Sequence, residues 1–460
     1  MTPTEQLERL PLGRRQHALV GILSSAVVLD GLDVKILAYA APLILAEWHI
    51  DKASFGPVMA AAVIGMTIGT PIGGWAGDRL GRRAVILASL LLFGLATIGA
   101  GMAHDPFSMG LLRFISGLGF GAVTPNAYAL AAEWLPVKTR MRTTALLTIG
   151  FPVGGMLGAL LMLALLPLAG WRECFYVAGA FTLVNFLVAS RWMPESVQFL
   201  QARGRTQAAA LAWRRTMGSD LPSSSAMAAD AHAPASAEDS AGSIFSAMFI
   251  RTSLATAACY FSIQFISYAV ASWGPVIFTS AGLPISDALL GSISFNVFAI
   301  VLTFAVIPVA RRFGSRLTML ASCVLILGAI AIMAYCLLRG ISGGSLAGRG
   351  ALILSFGLVG GLCGVVFQLL NAIATNAYPS RLRATGVGFA ATGGRAGAIV
   401  AILAGGVLLT WGGDNPSMLL LLLGALAVSI MPGALMIDRH LESTLRPPLA
   451  DGERALRRAS

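Results

Sequence analysis

Twelve stretches of nearly unbroken apolar residues alternate with short polar segments along the chain. They fall near 18–46, 53–77, 84–104, 107–132, 143–168 and 174–193, then near 253–279, 288–310, 317–338, 350–377, 385–411 and 416–437. Each reaches the roughly 20 residues that a spanning helix needs. The reaches 143–171, 252–286 and 350–380 hold no charge at all. The first run is too long for a signal-peptide core and no small-residue cleavage site follows it, so it is read as a retained span. The pattern predicts an all-α membrane protein of twelve transmembrane helices in two six-helix bundles. Its expected parts are a tail over 1–17, a bundle over 18–193, a loop and linker over 194–252, a second bundle over 253–437 and a tail over 438–460.

Composition agrees with that pattern. Hydrophobic residues make up 56% of the chain and charged residues 12%, with mean hydropathy +0.78; a soluble domain has about 25% charged residues. The net charge of +11 invites a nucleic-acid partner, but its distribution argues against one. With both termini in the cytoplasm, 24 basic residues fall in the tails and inner loops and 4 in the outer loops (Lys52, Arg172, Arg339, Arg349). That bias is the positive-inside rule; it reports the topology of a membrane chain whose main partner is the bilayer. The five cysteines have no metal-ligand spacing and are read as buried small side chains. No Lys follows a Gly, so no phosphate-cradling loop exists. Neither a metal, a cofactor nor an enzymatic activity is expected.

Between the two sets of spans lies the one long polar segment. Its first part, 201–215, has helical composition and four arginines and is expected along the inner membrane surface; 218–242, rich in Ala, Ser and Asp, reads as a linker. The halves share landmarks. Asp78-Arg79-Leu80-Gly81-Arg82-Arg83 ends the second span and Arg311-Arg312-Phe313-Gly314-Ser315-Arg316 ends the eighth. Arg140-Met141-Arg142 follows the fourth span and Arg381-Leu382-Arg383 the tenth. Two landmarks in one order imply an internal duplication, which puts a substrate site between the halves near the midplane.

Five charges interrupt the spans: Asp30, Asp33, Lys35, Arg113 and Arg395. Each costs about 2.5–3.5 kcal/mol at the bilayer centre if unpaired, so the function is sought where they meet. Asp30 and Asp33 are three residues apart and share a helix face. Two carboxylates so close cannot both stay ionised easily, which makes one a proton carrier, with Asp33 favoured; the alternative is a fixed pair with an Arg or Lys of another helix. Lys35 falls on the opposite side of the helix from Asp33, and a direct pair would need backbone distortion that Gly31 permits. Lys35 either holds a substrate carboxylate or snorkels along the helix. Arg113 cannot lose its proton and must meet an acid or an anion; Arg395 poses the same choice. The glycines 117, 119 and 121 after Arg113 read as a close-packing surface.

The stretch Gly74-x-x-x-Asp78-Arg79-x-Gly81-Arg82-Arg83 resembles the signature loop of the major facilitator superfamily of secondary transporters. Within it, the resemblance is to the aromatic acid/proton symporters. Asp30-Gly31-Leu32-Asp33 is similar to the DGFD motif of their first helix, Pro194-Glu195-Ser196 to their PES segment, and Arg383-Ala384-Thr385-Gly386-Val387-Gly388 to their RATGVG loop. Gly394-Arg395-Ala396-Gly397 is similar to the GRxG of their eleventh helix. Two departures stand out: Arg311, where that family usually has an acid, and Lys35, where it more often has an uncharged residue.

The resemblance implies a proton-coupled importer of a small aromatic carboxylate, a functional monomer whose partners are that acid and the proton. Proton coupling would fall to Asp30, Asp33, Arg113, Glu133 and Arg395. Substrate contacts would come from Lys35, Arg113, Tyr268, Trp273, Asn296, Gln368, Asn371 and Arg395, because an aromatic ring needs flat apolar surfaces and a few polar anchors. Gly74, Asp78, Arg79, Gly81, Arg82 and Arg83 would form a conformational latch, extended by Glu133 with Arg140 or Arg142. The rivals are a symporter of another organic acid and an efflux antiporter. The GPxxGG pattern expected of the latter is only approximated by Gly150-Phe151-Pro152-Val153-Gly154-Gly155.

Overall fold

The computed structural model describes residues 12–221, 243–246, 249–339, 346–413 and 415–437. The tail residues 1–11 and 438–460, and residues 222–242 of the expected linker, lie outside it, as do the side chains of Arg140 and Arg142. The described residues form helices only. The first half holds α1 (Arg14–Trp48), α2 (Lys52–Leu80), α3 (Arg82–Gly101), α4 (Pro106–Trp134), α5 (Val137–Leu165) and α6 (Trp171–Trp192). Two short helices follow, α7 (Val197–Ala202) and α8 (Thr206–Met217). The second half holds α9 (Ile250–Ser280), α10 (Ile285–Phe313), α11 (Ser315–Leu338), α12 (Leu346–Ala377), α13 (Ser380–Trp411) and α14 (Ser417–Met436). Among the described residues eleven helices are long and apolar enough to cross a membrane; the twelfth long helix, α1, carries the Asp30, Asp33 and Lys35 charges and packs among them.

The halves repeat each other. In the first, α1 packs on α5 and α2 on α4; in the second, α9 packs on α13 and α10 on α12. Gly81 and Gly314 close the corresponding turns with φ of +101° and +81°, a region L side chains rarely adopt. Asp51 starts α2 by accepting the Ser54 amide at 2.9 Å, and the Ser54 hydroxyl and amide hold that carboxyl below the usual range.

One crossing positions the charges. Gly31 of α1 lies against the Phe151 backbone of α5, and Gly154 of α5 against the Val28 backbone, so neither position has room for a Cβ. Helix α1 runs without interruption through this point. Gly31 therefore serves close approach rather than the backbone distortion expected of it. Its neighbours Asp30 and Asp33 are pressed into the bundle, 1% and 3% exposed.

The two halves meet firmly at one end. The Ala53 amide donates to Thr410 Oγ1 at 3.0 Å, and the start of α2 packs along α13. The same end carries a clasp of α1 on α6: Glu47 accepts from Trp171 Nε1 at 2.8 Å and pairs with Arg172 at 2.7 Å. All five cysteines are buried free thiols.

Candidate functional site

A cavity of about 390 Å³ lies between the halves, within the 300–1,000 Å³ usual for small-molecule sites. Its wall comes from α1, α2 and α5 on one side and α9, α10, α12 and α13 on the other. Lys35, Tyr268, Asn296, Gln368, Asn371 and Arg395 all line it, so six of the eight expected substrate contacts come together from both halves.

Lys35 is 6% exposed. Its Nζ lies over three rings: Tyr268 and Phe295 at 5.5 Å from each centroid and Phe151 at 5.9 Å. Such contacts stabilise a desolvated cation by about 2 kcal/mol, less than burial costs it. Arg395 donates from Nη2 to Thr70 Oγ1 at 3.1 Å, bridging α13 to α2. Neither cation forms a salt bridge with a carboxylate among the described residues. Asn371 accepts from the Tyr260 hydroxyl at 2.6 Å. Asn296 donates to its own helix at Ser292 O, 2.7 Å, and to the Tyr39 hydroxyl at 3.4 Å. Tyr39 in turn donates to Gly155 O at 2.9 Å.

Arg113 stands elsewhere. Its Nη1 donates to Asp33 Oδ2 at 2.8 Å and to the Asp33 carbonyl at 3.2 Å, while Thr97 Oγ1 donates to Asp33 Oδ1 at 2.8 Å. The guanidinium also faces the Phe175 ring at 5.2 Å. Asp33 is thus saturated, and Arg113, fully buried behind it, is not part of the cavity wall. A fixed pair occupies the place where a direct substrate contact from Arg113 was expected. Asp30, one turn earlier on α1, is different. It makes no salt bridge among the described residues, and its Oδ2 is buried without a hydrogen-bond partner.

Two further expectations are corrected. Trp273 is fully buried, donates from Nε1 to Ile402 O at 2.9 Å and packs over Gly405 and Gly406 of α13. It glues α9 to α13 and does not line the cavity. Glu133 pairs with Arg82, at the far end of α4 from Arg113; twenty residues of helix, read from their numbers, span roughly 30 Å. It belongs with the loop charges and is remote from Asp30.

In that loop, Arg83 donates to Ser190 O at 2.7 Å, and its amide donates to Glu195 Oε1 at 3.0 Å. Arg203 reaches the Arg79 carbonyl, and Asp78 and Arg79 are exposed. Gly74 has open space beside its Cα, and Gly81 makes the turn against Glu195. Each of these contacts lies within the first half or joins it to the loop that follows α6, and none reaches the second half. On this side of the molecule the central cavity continues, through Thr148, Thr303 and Gln368, into a second space of about 600 Å³ that reaches Arg311. The halves are closed at the Ala53–Thr410 end and parted at the end holding the α2–α3 turn.

Thr97, Thr70, Tyr39, Phe151 and Tyr260 were not foreseen. Single hydroxyls and rings in apolar spans carry no mark of their own, although Tyr39 lies one turn after Lys35 on the same helix.

Two duplicated six-helix bundles around a cavity lined from both halves define a membrane transporter of the alternating-access kind. The chain belongs to the Major Facilitator Superfamily, whose family model matches residues 23–358. It is 30% identical to the 4-hydroxybenzoate transporter PcaK of Pseudomonas aeruginosa, covering 87% of this chain and 88% of that one. It is 28% identical to a gallate transporter of Pseudomonas putida, covering 96% of each. Among solved structures, the inward open xylose transporter XylE of E. coli matches with a TM-score of 0.71 at 14% identity, over 93% of this chain and 97% of that one.

Proposed function

We propose that the protein imports a small aromatic carboxylate together with a proton across the bacterial inner membrane, with both termini in the cytoplasm. The observation that carries this reading is the cavity wall: Lys35 and Arg395, two cations with no salt-bridge partner among the described residues, line one cavity with Tyr268 and Phe295, whose faces Lys35 meets. Burying cations in a bilayer is costly unless an anion joins them, and flat aromatic faces suit a ring. The relatives named for 4-hydroxybenzoate and gallate support the same substrate class.

In this reading Arg395 and Lys35 anchor the anion, Tyr268 and Phe295 sandwich its ring, and Gln368, Asn371 and Asn296 contact ring substituents. Asp30 takes the proton, because its charge is the one a proton cancels without breaking a salt bridge. The Asp33–Arg113 pair holds α1 against α4 and keeps Asp30 in place. The loop charges Asp78, Arg79, Arg82, Arg83 and Glu133, with Gly74 and Gly81 shaping the turn, serve the latch, which is undone while the cavity opens inward. With the basic residues on the cytoplasmic side, the parted end faces the cytoplasm. One proton with one monoanion is electroneutral.

The test is uptake of radiolabelled benzoates into proteoliposomes with and without an inward pH gradient. Accumulation only with the gradient is expected. Flux of no aromatic acid in either condition would overturn the reading.

A further inference from the structure

Two cations share the cavity wall, yet among the described residues one acid is left for them. Asp33 is committed to Arg113 and Thr97. That leaves Asp30 on the same face of α1, close enough to act electrostatically on Lys35 but not salt-bridged to it. Tyr268 lines the cavity with both cations: its ring faces Lys35 at 5.5 Å, and its hydroxyl lies within electrostatic reach of Asp30 and Arg395. A ring bound beside Tyr268 therefore has both cations of the cavity wall near it.

The charge balance of the loaded site, taken with the proposed symport on which this inference rests, decides the cargo. When Asp30 carries a proton, the wall holds Lys35 and Arg395 with no acid to offset either. A monocarboxylate bound to Arg395 then leaves the Lys35 ammonium, 6% exposed, over aromatic rings with no ionised carboxylate paired to it among the described residues. An uncompensated charge at that depth is unfavourable, and ring faces recover only part of it. The balance closes if the cargo brings two negative groups. We propose that the preferred substrate is an aromatic dicarboxylate, its ring on Tyr268 and Phe295, one carboxylate on Arg395 and the second on Lys35. Protonation of Asp30 removes the negative charge that acts on Lys35 and leaves Lys35 to the second carboxylate, so the proton and the second charge arrive together.

The test compares initial uptake of benzoate, 4-hydroxybenzoate, benzene-1,3-dicarboxylate and benzene-1,4-dicarboxylate by proteoliposomes of the full chain. At least one dicarboxylate is expected to exceed both monocarboxylates in kcat/KM by about tenfold, the scale of one gained ion pair. Lys35→Met should lower the dicarboxylate-to-monocarboxylate ratio by about tenfold, and Lys35→Arg should largely keep it. Wild-type preference for the monocarboxylates, or a ratio untouched in folded Lys35→Met, would overturn the proposal. If Lys35→Met does not fold, the wild-type ratio decides alone. Failure of all four acids to enter would instead defeat the transport reading beneath it.

Discussion

Arg113 donates to Asp33 at 2.8 Å across the α4–α1 interface, and neither side chain reaches the cavity. This makes the pair a structural element of the first half. Removing one partner of a buried pair costs about 3–5 kcal/mol, because the survivor is left charged and unpaired. Arg113→Gln and Asp33→Asn should therefore each lower the thermal midpoint in detergent sharply, with the double variant more stable than either single one. Additive losses in the double variant would show that the two do not act as a pair.

Asp30 is the complementary case. Asp30→Asn removes a charge that has no salt bridge among the described residues, so the fold should tolerate it. The expected outcome is loss of accumulation driven by a pH gradient with retention of counterflow exchange. The measurement is paired uptake and exchange assays in the same vesicles. Accumulation equal to wild type would remove Asp30 as the proton carrier.

The fold was legible because burial in lipid leaves few options: long apolar runs must be helices, and the basic residues sort by side. The partners within the site were less so. The spacing of Asp30 and Asp33 shows that they share a face, but which of them meets Arg113 depends on how deeply α1 and α4 cross. That depth is set by bare-backbone contacts such as Gly31 on Phe151, which leave no charge or periodicity to read. Trp273 shows the same limit from the other side. It lies five residues after Tyr268, about 140° around α9, so one ring faces the cavity and the other faces α13.

That geometry makes Trp273 a packing residue. Trp273→Phe should lower stability by about 1–3 kcal/mol through lost volume and the lost bond to Ile402. The KM for an aromatic acid should stay within about twofold of wild type, as expected where no substrate contact is lost. A tenfold rise in KM with unchanged thermal stability would return Trp273 to the cavity wall.

Membrane potential separates the two kinds of cargo. A monocarboxylate entering with the Asp30 proton carries no net charge. A dicarboxylate entering with the same proton carries one net negative charge inward, and a potential of 100 mV acts on it with about 2.3 kcal/mol. That corresponds to about a fiftyfold change in the accumulation ratio. In vesicles clamped with valinomycin and potassium, an inside-positive potential should raise dicarboxylate accumulation and leave monocarboxylate accumulation where it was. Indifference of both cargoes to potential would mean that a second proton enters with the dicarboxylate. Asp33, held by Arg113 and Thr97, would then have to open its pair during the cycle, and Asp33→Asn would make dicarboxylate uptake potential-sensitive.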